Sequence, residues 1–460
     1  MSKNKVAMQT MSKHVYILVF CFLQGLYLRA AHADVELHDV LTSVYEHFPM
    51  VLAAQKKVES QEQKVIASQG AFDLTLHSEA DIRAQGYYDG RSIDVYAQKP
   101  LMFNAGKVYG GYRISDGLYP SYEGKRHTLD QGEINAGLQF SVWRNRSIDE
   151  PRGMLWNSQI QQSIEEMKLR QVELDVHKKA VQQYWHWVVQ GSIYRVYENL
   201  VQIALARDKA LQERVRKGDL AEIYLSENRQ YLANRQLQVA HAKQDFEKAS
   251  YGLSLFYRDS SGQPQIPTIE SIPGFTIDSE TLVLLDVEND IAYAMDRAPS
   301  LKILDLQAEQ LGYMIRLGKN ELSPLLDFDF SVSKDLGEGV AELEGIENRA
   351  MLMLEVPLQR RKGRGAMLHA QRSQESIKFE KQMQVDQMHA SIYVVYEQLR
   401  IQMQAIDFAK QELHYAKELE RAENSRFNSG ASDFFVLNMR EQNTARAEIS
   451  KVKEFLKYQY

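Results

Sequence analysis

Cysteine is nearly absent from this chain of 460 residues; Cys21 is the only one. The rest of the chain can therefore hold neither a disulfide nor a cysteine-based metal centre. Histidine does not fill the gap, since His38 and His47 lie nine apart and no cluster has metal-ligand spacing. Nor does a nucleophile-and-base constellation stand out, so no enzyme and no cofactor are expected. Gly106-Lys107-Val108-Tyr109-Gly110-Gly111 is glycine-rich, but it lies in strand-like sequence with no helix after it, which excludes a phosphate loop. Tyr184-Trp185-His186-Trp187 reads as helix packing. There is no excess of basic charge: Lys and Arg number 55 against 61 Asp and Glu, for a net charge of -6. The basic residues are spread along helical segments, which argues against nucleic acid as a partner.

Long apolar runs are also lacking. The stretch from Val15 to Leu28 is too short to cross about 30 Å of hydrocarbon. Lys3, Lys5 and Lys13 precede it and Ala31-His32-Ala33 follows, which is the layout of a cleaved secretory signal over residues 1–33. Cys21 falls inside it, and bulky Phe20 in front argues against lipid attachment. An exported chain without disulfides must rest on burial or on assembly.

What the chain does have is internal repetition. Glu46–Ala53 (EHFPMVLA) matches Asp296–Ile303 (DRAPSLKI), with Pro49 on Pro299; Glu213–Leu225 (ERVRKGDLAEIYL) matches Ser425–Leu437 (SRFNSGASDFFVL), with Gly218 on Gly430. We therefore expect a first repeat over 34–256, a linker over 257–286 broken by Pro264, Pro267 and Pro273, and a second repeat over 287–460. Helical periodicity covers Val35–Gly70, Arg152–Arg216, Asp219–Phe256, Val287–Asn320, Ala366–Ser425 and a last helix to Tyr460. The two longest would each reach roughly 90–100 Å. Ile160, Met167, Leu174, Val181 and Val188 recur every seven residues, as do Val385, Ile392, Leu399, Ile406 and Leu413, which calls for lateral packing against other helices.

Strand-like alternation separates these helices. It appears over Leu74–Arg83, Ser92–Gln98, Lys107–Ser115 and Glu133–Trp143, then over Leu326–Ser333 and Arg349–Leu358, with Asp89-Gly90 as a hairpin turn. Periodicity is consistent with a half-buried soluble sheet or with a membrane barrel. Tyr87, Tyr88, Tyr109, Tyr112 and Tyr119 near the strand ends suit an interfacial girdle and favour the barrel. Helices on one side of a membrane require an even number of strands in each block, here four and two. So few strands cannot close a channel-sized barrel, and open edges are not tolerated in lipid, so several chains must share one barrel.

With these features in place the chain resembles the TolC family of outer-membrane efflux and secretion channels, from about Val35 to the C-terminus. The marks are Phe48-Pro49, Ala298-Pro299, Leu322-Ser323-Pro324-Leu325-Leu326, Glu355-Val356-Pro357-Leu358, an Arg-x-x-x-Gly at Arg214–Gly218 and at Arg426–Gly430, and Tyr257–Pro264 as a mid-chain linker. The resemblance implies an α+β membrane protein: a homotrimer with a shared transmembrane β-barrel and a long periplasmic α-helical barrel. It implies a passive exit duct in the outer membrane of a Gram-negative bacterium, within a tripartite efflux or type I secretion system. The partners would be a periplasmic adaptor and an inner-membrane transporter. The two glycine turns would form the periplasmic tip, where Arg214, Arg216, Gly218, Asp219, Glu222, Arg426, Gly430 and Asp433 are the docking and gate candidates. The family's gating acids do not align with Phe435 or Val436 here. Arg144, Arg146, Arg152, Arg360, Arg361, Lys362 and Arg364 either meet anionic headgroups at the barrel rim or are solvated turn residues. The family has two strands per repeat, so a hairpin over Ser92–Ser115 is extra; if inserted, a trimer would hold about eighteen strands. The rival readings are a periplasmic adaptor subunit and a non-conducting structural envelope protein.

Overall fold

Proline decides where the first helix of each half breaks. The computed structural model describes residues 34–460 except 84, 87, 121–125 and 275–285. The expected signal segment, Tyr87 and the second half of the linker thus lie outside the described residues. Where one helix was expected over Val35–Gly70 there are two, α1 (Leu37–His47) and α2 (Pro49–Gln69). Phe48, between them, is extended at φ -76° and ψ 120°, because the proline ring bars the helical conformation from the residue before it. The same break recurs at Ala298, between α5 (Val287–Arg297) and α6 (Pro299–Glu321). The long helices are α3 (Glu150–Arg216) and α7 (Arg361–Asn428), of 67 and 68 residues. Their return helices are α4 (Glu222–Ser254) and α8 (Phe434–Gln459).

All six strands join one antiparallel sheet in sequence order: β1 (Thr75–Ile82), β2 (Arg91–Pro100), β3 (Lys107–Asp116), β4 (Glu133–Ser141), β5 (Leu325–Asp335) and β6 (Ile346–Glu355). The strand pairs bear out the sequence reading, with shifted ends. Strand β6 stops at Glu355 rather than Leu358, since Pro357 has no N–H to give a ladder. Asp89-Gly90 is not a two-residue turn; the connection spans 83–90 and closes with Arg83 N–H donating to the Gly90 carbonyl at 3.0 Å. The β2–β3 turn is tight, with Asn104 and Ala105 at φ 52° and 44°.

The chain sorts into two units. The first draws on the segment up to Leu52, Glu173–Leu285 and Tyr393–Tyr460. Its core holds Trp187, Val188 and Val189 of α3, all fully buried, with Ala242 of α4 and Ile449 and Val452 of α8 packed on Val189 and Ile193. Tyr184 donates to the Val35 carbonyl at 3.2 Å, and Phe48 stacks on Phe256 at 5.2 Å, which secures α1 to the linker region. The second unit, Ala53–Val172 and Asp286–Ile392, contains the sheet. There α6 and α7 cross closely at Gly318 and Gly363. A Cβ on Gly318 would lie 2.8 Å from the Met367 backbone nitrogen, and one on Gly363 would lie 2.9 Å from the Gly318 carbonyl.

Two outcomes are expected. Gly318→Val should force α6 off α7 and lower the thermal unfolding midpoint, whereas the same change at open Gly365, where nothing lies within 4 Å, should be far milder. Burial pushes the His186 imidazole below its ordinary range, helped by Lys248 and opposed by Asp245. Its neutral form is thus favoured in the fold, and that stability is present above the ordinary value of about 6.5 and is lost as pH falls from there through the lowered folded value. Thermal midpoints taken from neutral to acid pH should fall less steeply for His186→Gln than for the parent chain.

Candidate functional site

The two glycine turns are built alike. Helix α3 ends with Gly218 N–H on the Val215 carbonyl at 2.9 Å and Asp219 N–H on the Arg214 carbonyl at 2.9 Å. Helix α7 ends with Gly430 N–H on the Phe427 carbonyl at 3.1 Å and Ala431 N–H on the Arg426 carbonyl at 2.9 Å. Each is a Schellman closure, with the glycine left-handed at φ 80° and 76°, where a side chain would be strained. One apolar cluster joins the turns: Leu211, Leu225 and Phe434 are buried, with Val215, Leu220, Tyr224, Tyr231 and Phe427 around them.

Around that cluster the candidate side chains point outward. Arg214, Arg216, Asp219, Glu222, Arg426 and Asp433 are all exposed. Arg216 pairs with Glu213 at 2.6 Å, and Arg426 with buried Glu423 at 3.5 Å. Asp433 has a structural task, since its carboxylate accepts from Phe435 N–H at 3.0 Å and caps α8. Glu423, which also accepts from the Ser432 hydroxyl, was not singled out in the sequence. Its partners lie within ten residues, but nothing in the local pattern marks it as buried.

A second feature of this unit is legible only in three dimensions. Glu441 of α8 is 5% exposed and meets two arginines, Arg207 of α3 and Arg235 of α4. Arg235 Nη2 lies 2.9 Å from Glu441 Oε2 and 3.2 Å from Asn438 Oδ1, while its Nη1 donates to the Leu200 carbonyl at 3.0 Å. Arg207 Nη1 donates to Asn438 Oδ1 at 3.2 Å, and its guanidinium lies 5.4 Å from the Phe434 ring. One carboxylate, two guanidiniums and one amide therefore tie α8 to both arms of the α3–α4 hairpin.

The sheet separates most of its residues by chemistry; Arg91, Asp116, Lys334 and Asn348 toward the end away from the β2–β3 turn, Lys99 beside that turn and Ser78 share the apolar face, and Met351 and Met353 share the other. Following the register outward from Leu76, one face carries Leu76, Ala80 and Ile82 of β1, Ile93 and Val95 of β2, Val108, Tyr112 and Ile114 of β3, Ile134, Ala136 and Leu138 of β4, Phe328, Phe330 and Val332 of β5, and Leu352 and Leu354 of β6. The other face carries Glu79 and Asp81, Asp94, Arg113, Glu133 and Asn135, Asp327, Asp329 and Ser331, and Glu347 and Arg349. The additional hairpin β2–β3 keeps this separation through both its neighbours. The apolar face is open: Leu76 is 75% exposed, Ile93 52% and Leu352 67%. Polar side chains on the opposite face bond to each other, with Arg113 Nε 2.9 Å from Asp94, Ser141 Oγ 2.7 Å from Asp327 and Tyr109 OH 3.1 Å from Asp329. Strands β1 and β6 are the sheet's two edges and run in opposite directions. Among the described residues no helix is long and apolar enough to cross a membrane.

Helix α7 shows an apolar seam that the sequence reading missed. Val394, Ile401, Phe408 and Tyr415 recur every seven residues and are each more than half exposed. Ile406 and Leu413, from the expected seam, are buried within the same unit. The missed seam has the same spacing; periodicity finds a stripe but does not say which stripe the chain covers itself.

No protein-family model matches the sequence, and no curated protein matches it. Solved structures do. The outer membrane protein VceC from Vibrio cholerae is similar over 92% of this chain and 93% of its own, with a TM-score of 0.62 at 12% identity. The Campylobacter jejuni outer membrane channel CmeC aligns over 92% of this chain and 83% of its own, at TM-score 0.59 and 13% identity. The open state of the Neisseria gonorrhoeae outer membrane channel MtrE gives a TM-score of 0.56 at 13% identity, over 93% and 87%. The fold is TolC-like. At such low identity the TolC-like fold is kept by the pattern of elements and their apolar faces, with few residues in common.

Substitution tests the two devices of this unit separately. Glu441→Ala would strand the buried Arg235 guanidinium and the half-buried Arg207 one, and should cost about 3 kcal/mol, with Glu441→Gln milder. Gly218→Ala or Gly430→Ala should cost about 1 kcal/mol each through left-handed strain. Thermal unfolding reads all four.

Proposed function

We propose that this chain is one of three identical subunits of an outer-membrane exit duct. The observation that carries the reading is the sheet: one face open and mostly apolar across all six strands, the other mostly polar and hydrogen-bonded, and two unpaired edges of opposite direction. A sheet with these properties is unstable in water and cannot be left open in lipid. Pairing the β6 edge of one subunit with the β1 edge of the next removes every edge, turns the apolar face to lipid and turns the polar face to a lumen. Three six-stranded sheets then give an eighteen-stranded barrel with the β2–β3 hairpin in its wall. The exposed seam of α7 is a second, independent support, since seven-residue spacing suits a helix of another subunit. The TolC-like fold agrees with both.

In this reading the helices form a periplasmic barrel and the paired glycine turns its tip. The exposed side chains Arg214, Arg216, Glu222 and Arg426 offer a docking surface for a periplasmic adaptor, which links the duct to an inner-membrane transporter. Energy and cargo choice belong to that transporter. Asp219 and Asp433, three copies each, ring the aperture and favour cations.

Membrane fractionation should place the chain in the outer membrane, extractable only with detergent and as a trimer. The purified trimer should conduct in planar bilayers; a dissolved monomer or an unconducting assembly would overturn the duct. A tryptophan at Ile93 or Ile114 should be quenched by brominated lipid, and one at Asp94 should not. Asp219→Asn and Asp433→Asn, the latter keeping a helix cap, should each lower cation preference in reversal-potential measurements.

A further inference from the structure

The polar face is not bare at the end of the sheet away from the β2–β3 turn. The segment 126–131, which leads into β4, is fastened there to side chains of three strands. Arg126 pairs with Asp81 of β1. Thr128 N–H donates to Ser115 Oγ of β3 at 2.9 Å, and Ser115 N–H donates back to Thr128 Oγ1 at 3.1 Å. Leu129 N–H donates to Asp335 Oδ1 of β5 at 3.1 Å. Asp81, Ser115 and Asp335 all belong to the polar face by register. The next residue, Asp130, accepts from Glu338 N–H at 2.7 Å, and Tyr112 reaches from the apolar face to the Gln131 carbonyl at 2.7 Å, where the segment rejoins β4. Leu129 is 3% exposed, so the segment is packed down rather than standing in solvent. Tyr119 seals the near side: it lies against Gly90, where a Cβ would be 2.5 Å from its ring, with Arg83 5.7 Å and His127 5.0 Å away.

These anchors are spread across the sheet from β1 to β5, four strand spacings or roughly 19 Å. Contact with β5 follows from the β4–β5 pairing, which runs on through Gln131 N–H to the Leu336 carbonyl at 3.1 Å, but a connection that needed only to join β3 to β4 would have no reason to reach β1. Eighteen strands tilted about 40° enclose a backbone ring roughly 36 Å across, far wider than side chains alone can fill. We propose that residues 126–131 form a collar on the lumen side of the outer mouth, and that this collar, set by Arg126–Asp81 and Leu129–Asp335, determines the size of solute that passes the barrel. The proposal rests on the duct reading. In three copies the collar lays a packed chain layer against the wall, which recovers a size limit that the extra hairpin would otherwise remove. The anchors are polar and partly exposed, so they hold the segment at little cost to the barrel ladder itself.

The test places one cysteine below the collar on the polar face, as Ser331→Cys. The chain's own cysteine, Cys21, precedes the described residues, and the unsubstituted chain serves as the blank. Intact cells carrying the full-length channel are treated from outside with a small maleimide and with maleimides on polymers of increasing length. With the collar intact, the small reagent should label and the long ones should label slowly. Cutting the anchors with Asp81→Ala, with Asp335→Ala or with both should raise the long-reagent rate several-fold and leave the small-reagent rate unchanged. Equal long-reagent rates in all variants would overturn the collar while leaving the duct intact. Failure of even the small reagent to reach Cys at 331, in protein that fractionates normally, would overturn the duct reading and the collar with it.

Discussion

A backbone N–H or C=O in hydrocarbon must find a partner, because no water is there to supply one. In the proposed barrel that constraint governs the six-stranded sheet more than any side-chain contact. The sheet satisfies its own interior ladder and leaves one edge at β1 and one at β6, so a closed wall requires further copies. An even strand number keeps both flanking helices of each block on one side and makes the two edges antiparallel to each other. The β2–β3 hairpin respects this rule: it adds a down-and-up pair, so circumference grows without altering where the helices emerge.

The helical units meet a different requirement. Under the proposed function water is available there, so termini can be solvated, and the turns at Gly218 and Gly430 need only a left-handed residue to close. What must be satisfied is the interior. Trp187, Val188 and Val189 satisfy it by packing, and Glu441 does so by gathering Arg207, Arg235 and Asn438 around one carboxylate. A buried charge of that kind is poor as a source of stability but strict about geometry. The network ties helix α8 to the α3–α4 hairpin beside Phe434, which packs in the cluster that joins both turns.

Much of this was legible from residue order. The strand pairs, the long helices and the glycine turns follow from alternation, seven-residue spacing and Arg-x-x-x-Gly. The misreadings have local causes. Helical periodicity runs straight through Pro49 and Pro299, although each forces the residue before it out of the helix. Asp89-Gly90 looked like a tight turn, but Gly90 is needed as a flat seat for the Tyr119 ring. At the glycine turns, the exposed charges were visible as charges; the cap made by Asp433 and the burial of Glu423 were not.

Sequence alone determined the kinds of elements and the chemical character of each face, because period two and period seven are properties of residue order. Tertiary structure alone decided that the extra hairpin shares one sheet, which of two heptad seams on α7 is covered, that Arg207, Arg235 and Glu441 meet, and that residues 126–131 lie on the polar face. Each of those joins residues far apart in the chain, and a spacing pattern carries no information about which distant partner a surface will find.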